Sequence, residues 1–175
     1  LERYEQNRVR YCFQKVPLSR DGLIDLVQSQ QGPRLVIMNT VRNAAVIAQE
    51  MHRRFGSEHV EHLSTALCPA DRAKTISKVK RRLENPKDTD WTLVATSCVE
   101  AGVDLSFANG FREAASLLSL LQSSGRINRN GSLKSAQMFC FKMQDDSELT
   151  VNPAVKYAAT ILERYFRQNR TISPA

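Results

Sequence analysis

The chain has no G-x-x-x-x-G-K-[ST] loop and no D-E-x-H or D-E-x-D strand, so it holds neither a phosphate cradle nor an acidic strand for magnesium. No apolar run approaches membrane-spanning length, and the opening "LERYEQNRVRY" is neither a secretory signal nor a transit sequence. Internal repeats and low-complexity segments are absent. Cys12, Cys68, Cys98 and Cys140 are scattered without a C-x-x-C pair, mostly in apolar strand-like runs. They read as reduced core thiols of a cytosolic protein and exclude a disulfide frame or zinc site. The only histidines are His52, His59 and His62, which excludes a His-Asp cluster for a metal nuclease. His59 and His62 flank Val60-Glu61 at a spacing that admits a metal, and a surface strand edge explains them as well. The first residue is Leu and not Met, which fits a domain cut from something longer.

What is present points to one globular unit. With 175 residues, 42% of them hydrophobic, the chain can bury one ordinary core. Lysine and arginine number 25 against 18 acidic residues, for a formal charge of +7 and a sequence pI near 9.5. That balance favours an anionic partner, with nucleic acid or nucleotide phosphate the best fit. The run Arg72, Lys74, Lys78, Lys80, Arg81, Arg82 covers several sides of its segment, as a solvated helix does; a phosphate-tracking surface is the alternative.

Strands and helices alternate along the sequence. "RVRYCFQKV" alternates like a half-buried strand, and "SRDGLIDLVQSQQG" reads as a helix closed by Gly32. "RLVIMN" is a short buried strand, followed by a helix in which Val41, Ala44, Ala45, Ala48 and Met51 recur at helical spacing up to Gly56. "HVEHLST" is a strand, and Pro69 and Asn85-Pro86 bracket the next helix. "WTLVATS", "NGFRE" and "SAQMFCFKM" are further strands, with a helix from about Ser116 whose Leu117, Leu118, Leu120 and Leu121 are assigned to the core. "MQDDSELTVNP" reads as a linker before a closing helix carrying Tyr157, Ile161, Leu162, Tyr165 and Phe166. Short connections between alternating elements predict an α/β domain with a mainly parallel sheet.

Two turns carry the chemistry, and both are expected at the carboxyl ends of strands, where ligands gather in open parallel sheets. In "VATSCVEAGVDLSF", Gly102 lets the backbone approach a ligand and Asp104 offers a carboxylate to a ribose hydroxyl or a basic partner. A simple strand-to-turn connection, with Asp104 capping nearby amides, explains the same residues. In "QSSGRINRNG", Arg126 and Arg129 are three apart and would project from one face of a helical turn, with space beside them at Gly125. Paired guanidinium groups suit a phosphoryl group whose charge spreads over several oxygens. A solvated helix end with favourably placed cations is the other reading.

"LVIMNTVRNA", "LVATSCVEAGVDLSF" and "LLQSSGRINRNG" together resemble, in order and spacing, the conserved segments of the second RecA-like domain of superfamily-two helicases. The likeness is strongest to the CRISPR-associated helicase-nuclease of type I systems, through the Glu-x-Gly-Val-Asp turn, the "FRE" strand and the Asn-Arg-Asn-Gly ending. It covers roughly residues 34–141. It implies a RecA-like (P-loop NTPase-type) three-layer domain over residues 1–145, with 146–175 as linker and C-terminal helix or the start of an accessory domain.

The resemblance also implies roles. Arg126 and Arg129 would be arginine fingers reaching ATP held by a first RecA-like domain of the same protein, which would also hold Mg2+. Gln122, Gly102 and Asp104 would line the ATP site, with Asp104 sensing ribose or ordering the arginines. Asn39, Thr40 and Thr96 would touch one strand of single-stranded nucleic acid, DNA in the CRISPR family, where a surveillance complex is a further partner and the cytoplasm the location. Many helicases have arginine where this chain has Ser123; a small residue there fits the CRISPR family. Alone, the chain is expected not to hydrolyse ATP. Branch-migrating helicases also carry an E-x-G-V-D turn, so a branch-migrating or restriction-type translocase is one competing reading, and a non-catalytic nucleic-acid-binding module is another.

Overall fold

The computed structural model describes residues 8–100 and 104–168. Its strands are β1 (Val9–Phe13), β2 (Arg34–Ile37), β3 (Val60–Leu63), β4 (Thr92–Ala95), β5 (Asn109–Glu113) and β6 (Ala136–Phe141). Its helices are α1 (Arg20–Gln28), α2 (Val41–Phe55), α3 (Pro69–Glu84), α4 (Leu117–Ser124) and α5 (Pro153–Arg167). The strands form one sheet in the order β1-β6-β5-β2-β4-β3, and every pair is parallel. Parallel strands need both faces covered, which is why β2 and β4, deep within the sheet, are buried at every residue.

Helix starts follow from local chemistry. Ser19, Thr40 and Ser116 each accept a hydrogen bond from the amide three residues on (Gly22, Asn43, Ser119), satisfying a donor that has no partner within the helix. Cys68 does the same for Asp71 through its sulfur, with Pro69 fixing the first helical residue. Cys68 is thus exposed at a helix start and not a core residue, whereas Cys140 is buried and its thiol is pushed up to about 12 by burial.

The helices form two layers. Leu23, Ile24 and Val27 of α1 and Ile47 and Met51 of α2 pack on Val36, Phe111 and Phe139, the last two stacked with centroids 5.0 Å apart. On the opposite face Val79 of α3, Leu120 of α4 and Leu162 of α5 close over Leu35, Leu93, Trp91 and Phe107. Each fully buried Leu or Ile contributes about 1.5–3 kcal/mol relative to exposure. The leucine run of α4 is not uniformly core: Leu120 is fully buried, but Leu118 is 63% exposed. Adjacent helical residues point about 100° apart, so four leucines in five positions cannot share one face.

Most of the basic run on α3 is engaged within the chain. Arg82 donates to Glu61 Oε1 at 2.9 Å and to both oxygens of Asp88 at 2.8 and 2.9 Å, and its guanidinium lies 4.5 Å from the Trp91 ring centroid. Its hydrogen bonds hold the Asp88 carboxyl below the usual range. Lys78 pairs with Glu61 at 2.7 Å, and Arg72 donates to the carbonyls of Thr65 and Leu67. Glu61 is buried, so removing its inner partner strands a charge. Arg82→Ala is expected to cost about 3 kcal/mol, the low end for breaking a buried pair because Lys78 still neutralises Glu61. Lys78→Ala, half exposed, should cost under about 1 kcal/mol. Urea midpoints of the two variants check the difference.

Candidate functional site: the arginine turn and the strand ends beside it

The connection from β4 to β5 must travel from the carboxyl end of one strand to the amino end of a parallel one, and its described residues hold no α-helix, only the 3-10 turn Ser97–Val99. It runs instead as a segment that meets the turn after α4 edge to edge. Phe107 N donates to Arg126 O and Asn128 N donates to Phe107 O, both at 2.8 Å. Ile127 is fully buried against β5 at Gly110, where a Cβ would lie 2.7 Å from its Cδ1; this glycine makes room for the turn. Asn128 holds the left-handed conformation (φ 44°) that asparagine tolerates best among non-glycine residues. Its amide donates to Arg8 O and Leu133 O and accepts from Leu133 N.

This geometry corrects two expectations. Arg126 and Arg129 do not share one helical turn: Arg126 N and Ile127 N still donate to Ser123 O and Ser124 O, but Ile127 is held in a bridge and Asn128, at φ 44°, breaks the turn before Arg129. The arginine turn also sits near the amino ends of β1 and β5, not at the carboxyl ends of strands, since it follows a helix and pairs with residues that lead into β5.

The two arginines nevertheless line one open cavity of about 450 Å³, together with Arg8, Glu100, Leu121, Gln122 and Gly125. Arg126 donates from Nε to Val99 O (3.0 Å) and from Nη2 to Glu100 O (2.9 Å). Arg129 pairs through Nη1 with Asp104 Oδ1 at 2.6 Å, on the exposed side. Asp104 therefore contacts the second arginine directly. Gly102 lies outside the described residues. Ser123 Oγ shares its one proton between Ser119 O at 2.7 Å and Glu100 Oε1 at 3.0 Å, so the small residue in place of a third arginine touches both turns.

Arg8, Glu100 and Arg112 were not singled out from sequence. Arg8 lies far away in the chain and reaches the turn by donating to Ile127 O at 2.8 Å. Glu100 was visible only as part of the Glu-x-Gly-Val-Asp pattern, and nothing in the sequence of β5 foretold that Arg112 faces inward.

Asn39, Thr40 and Thr96 lie at the carboxyl ends of β2 and β4, away from the arginine turn. Their polar groups are largely engaged. Asn39 N donates to Glu113 Oε2 (2.7 Å), its amide donates to Ala114 O (2.9 Å), and its Oδ1 accepts from Arg112 Nη1 (2.6 Å). Thr40 Oγ1 caps α2 and lies 3.2 Å from Thr150 Oγ1. Thr96 is 6% exposed, and its hydroxyl donates to Cys98 Sγ at 3.4 Å. Residues 146–152 are strapped over this end: Arg42 donates to Glu148 O, while Asn43 accepts from Thr150 N and donates to Thr150 O. A second cavity of about 390 Å³ lies under the strap and α5, with Glu113 in its wall.

No metal-binding group of three or more His, Cys, Asp and Glu exists among the described residues. His59 turns to Asp90 O and His62 to Ser64 Oγ, so the two do not converge. Among the described residues no helix is long and apolar enough to cross a membrane.

A family model described as "CRISPR-associated nuclease/helicase Cas3, C-terminal" matches residues 30–132, more than half of the chain. The chain belongs to this Cas3 C-terminal family. A curated Cas3 nuclease/helicase of Haloferax volcanii is 50% identical over 40 residues, 23% of this chain and 4% of that protein. The fold is similar to the T. fusca Cas3-ATP crystal structure, with a TM-score of 0.73 and 15% identity over 94% of this chain and 22% of the other. It is also similar to the C-terminal domain of the DEAD-box protein Dbp5, with a TM-score of 0.65 and 13% identity, covering 93% and 87% of the two chains. The parallel sheet is thus that of a C-terminal RecA-like helicase domain, and the chain spans less than a quarter of the Cas3 proteins it matches.

Glu113 supplies a test of the strand-end side of this Cas3-type domain. Burial pushes its carboxyl up, against the hydrogen bond from Asn39 N and the charge of Arg112. A raised folded-state value means that the stabilising share is full below the unfolded carboxyl's value and is lost as pH rises through the folded one. Glu113→Gln removes the loss and keeps an acceptor for Asn39. Its urea midpoint is expected to exceed the parent's near neutral pH and to converge with it toward pH about 4.

Proposed function

We propose that this chain is the second motor domain of an ATP-dependent helicase or translocase that acts on single-stranded DNA in CRISPR-associated antiviral defence, in the cytoplasm. The observation that carries the reading is the convergence of Arg126, Arg129 and Gln122 on one open cavity, with both guanidinium groups held by partners from the preceding turn. The donor set there is cationic, which suits phosphate oxygens and not a divalent cation. ATP with its Mg2+ would be held chiefly by a first RecA-like domain, and Arg126 and Arg129 would meet the phosphates from this side. In phosphoryl transfer the negative charge spreads over several oxygens, and fixed guanidinium groups stabilise it without reorganising at the moment of reaction.

Each arginine is poised and not locked. Arg126 keeps Nη1 clear of its two carbonyl partners, and Arg129 is paired with an exposed carboxylate that water screens. Asp104 then acts by ordering Arg129, with Gly102 in the same turn. Asn39, Thr40 and Thr96 mark the end of the sheet that one DNA strand would cross. The two threonines and the asparagine already have partners within the chain, so their part is to shape that surface and present its backbone. One similar structure is of a "CRISPR RNA-guided surveillance complex, pre-nicking", which supports a complex of that kind as the recruiting partner.

The test uses the longer protein that contains both motor domains. Arg126→Ala is expected to lower DNA-stimulated ATP turnover by about 10³- to 10⁵-fold, while the isolated 175-residue chain shows none. Turnover unaffected by Arg126→Ala would sink the finger assignment. Thr96→Ala should weaken oligonucleotide binding and leave ATP affinity unaltered, and the opposite pattern would remove Thr96 from the DNA side.

A further inference from the structure

The geometry points to Arg112 as a positioning residue that, through the Glu100 carboxylate, couples the strand-end segment at Asn39 to the reach of Arg126. This rests on reading Arg126 as a finger and the strand ends at Asn39 as the DNA side.

Arg112 lies on β5, beneath α4, and is 3% exposed. A guanidinium in that position is costly, and an apolar side chain of similar volume generally fills such a site at no loss of stability. Stability alone therefore does not account for it. Its contacts join the segment that follows β2 to the turn that follows β4, beyond the paired residues of those two strands. Nη1 donates to Asn39 Oδ1 at 2.6 Å and to Glu113 O at 2.9 Å, both at the strand ends assigned to DNA. Nε lies 3.0 Å from Glu100 Oε1. The same Glu100 oxygen takes the Ser123 hydroxyl, three residues before Arg126, and the carbonyls of Val99 and Glu100 hold the Arg126 guanidinium itself.

The middle contact is incomplete. Arg112 Nε and Glu100 Oε1 are close enough for an ion pair, yet the N–H does not point at the oxygen, so a buried donor is left without a hydrogen bond. Leaving such a donor unmade costs about 1–3 kcal/mol, more where charge is involved. A backbone shift at residue 100 that brings the oxygen into line also displaces the Glu100 carbonyl that Arg126 grips. A strand pressing on Asn39 shifts Arg112, and Arg112 shifts Glu100. The hold on Arg126 changes with it, so DNA contact and finger reach become one equilibrium.

The experiment compares ATP turnover of the two-motor-domain protein with and without a single-stranded oligonucleotide, alongside oligonucleotide affinity measured without nucleotide. Arg112→Lys keeps the charge and loses the fork; Glu100→Gln keeps the shape and loses the charge. Each is expected to reduce the DNA-stimulated-to-basal ratio within the roughly 5- to 150-fold range of site-to-site coupling. Oligonucleotide affinity should stay within about twofold of the parent. Because both residues serve one contact, the double variant should lose no more than the worse single one. An unchanged ratio in Arg112→Lys, or single losses that multiply in the double variant, overturns the coupling. Should Arg112→Lys not fold, Ser123→Ala removes a hydroxyl on the same carboxylate with no change of backbone. It should lower the ratio several-fold, and an unchanged ratio again overturns the proposal. Arg126→Ala separates the two levels. Its inactivity beside a normal ratio in Arg112→Lys overturns the coupling alone, while its full activity removes the finger on which the coupling depends.

Discussion

Parallel pairing forces every connection in this molecule to carry the chain from one edge of the sheet back to the other. Four of the five links do so with a helix that covers a face. The fifth, between β4 and β5, shows no α-helix among its described residues; the two strands flank β2, and the face above them is closed by α3, α4 and α5. Outside the 3-10 turn Ser97–Val99 its described residues are irregular, and irregular backbone leaves groups to be satisfied from outside. The carbonyls of Val99 and Glu100 and both backbone groups of Phe107 find partners in the turn after α4. The pairing of the two turns is thus a consequence of sheet order, and the clustered charges are built on it.

Much of the architecture was legible because it rests on local rules. The apolar runs of β2 and β4 mark fully buried strands, and Ser19, Thr40, Ser116 and Asn152 open helices where a side-chain oxygen is needed. The recognition of a helicase C-terminal domain rested on three short segments and agrees with the family match and the fold. What sequence could not supply were relations between distant residues. No periodicity distinguishes Arg82, engaged with Glu61, Asp88 and Trp91, from Arg81 beside it. Nothing in a strand of five residues says that Arg112 points under α4. The helical reading of R-x-x-R failed because the length of α4 is set by where Ile127 meets Gly110, a contact between residues 17 positions apart.

Charge is handled differently at the two ends of the domain. At the arginine turn the cations are met by neutral carbonyls or by an exposed carboxylate. At the strand ends the polar groups are closed on one another, with Asn39 alone joined to Glu113, Ala114, Arg112 and Asn152. The same composition that gives a formal charge of +7 thus divides into a cationic cavity and a nearly saturated network. A net charge describes the sum and conceals this division.

The tie between Asn128 and Arg8 has a mechanical side. Asn128 Nδ2 holds Arg8 O at 3.0 Å, and Arg8 Nη1 returns to Ile127 O at 2.8 Å. Arg8, the residue before β1, is thereby fastened to the arginine turn. A pull along the backbone at residue 8 loads these two hydrogen bonds on the turn as well as the ladder between β1 and β6. The turn is in this sense a buckle: tension arriving at Arg8 is felt by the residues that face the cavity.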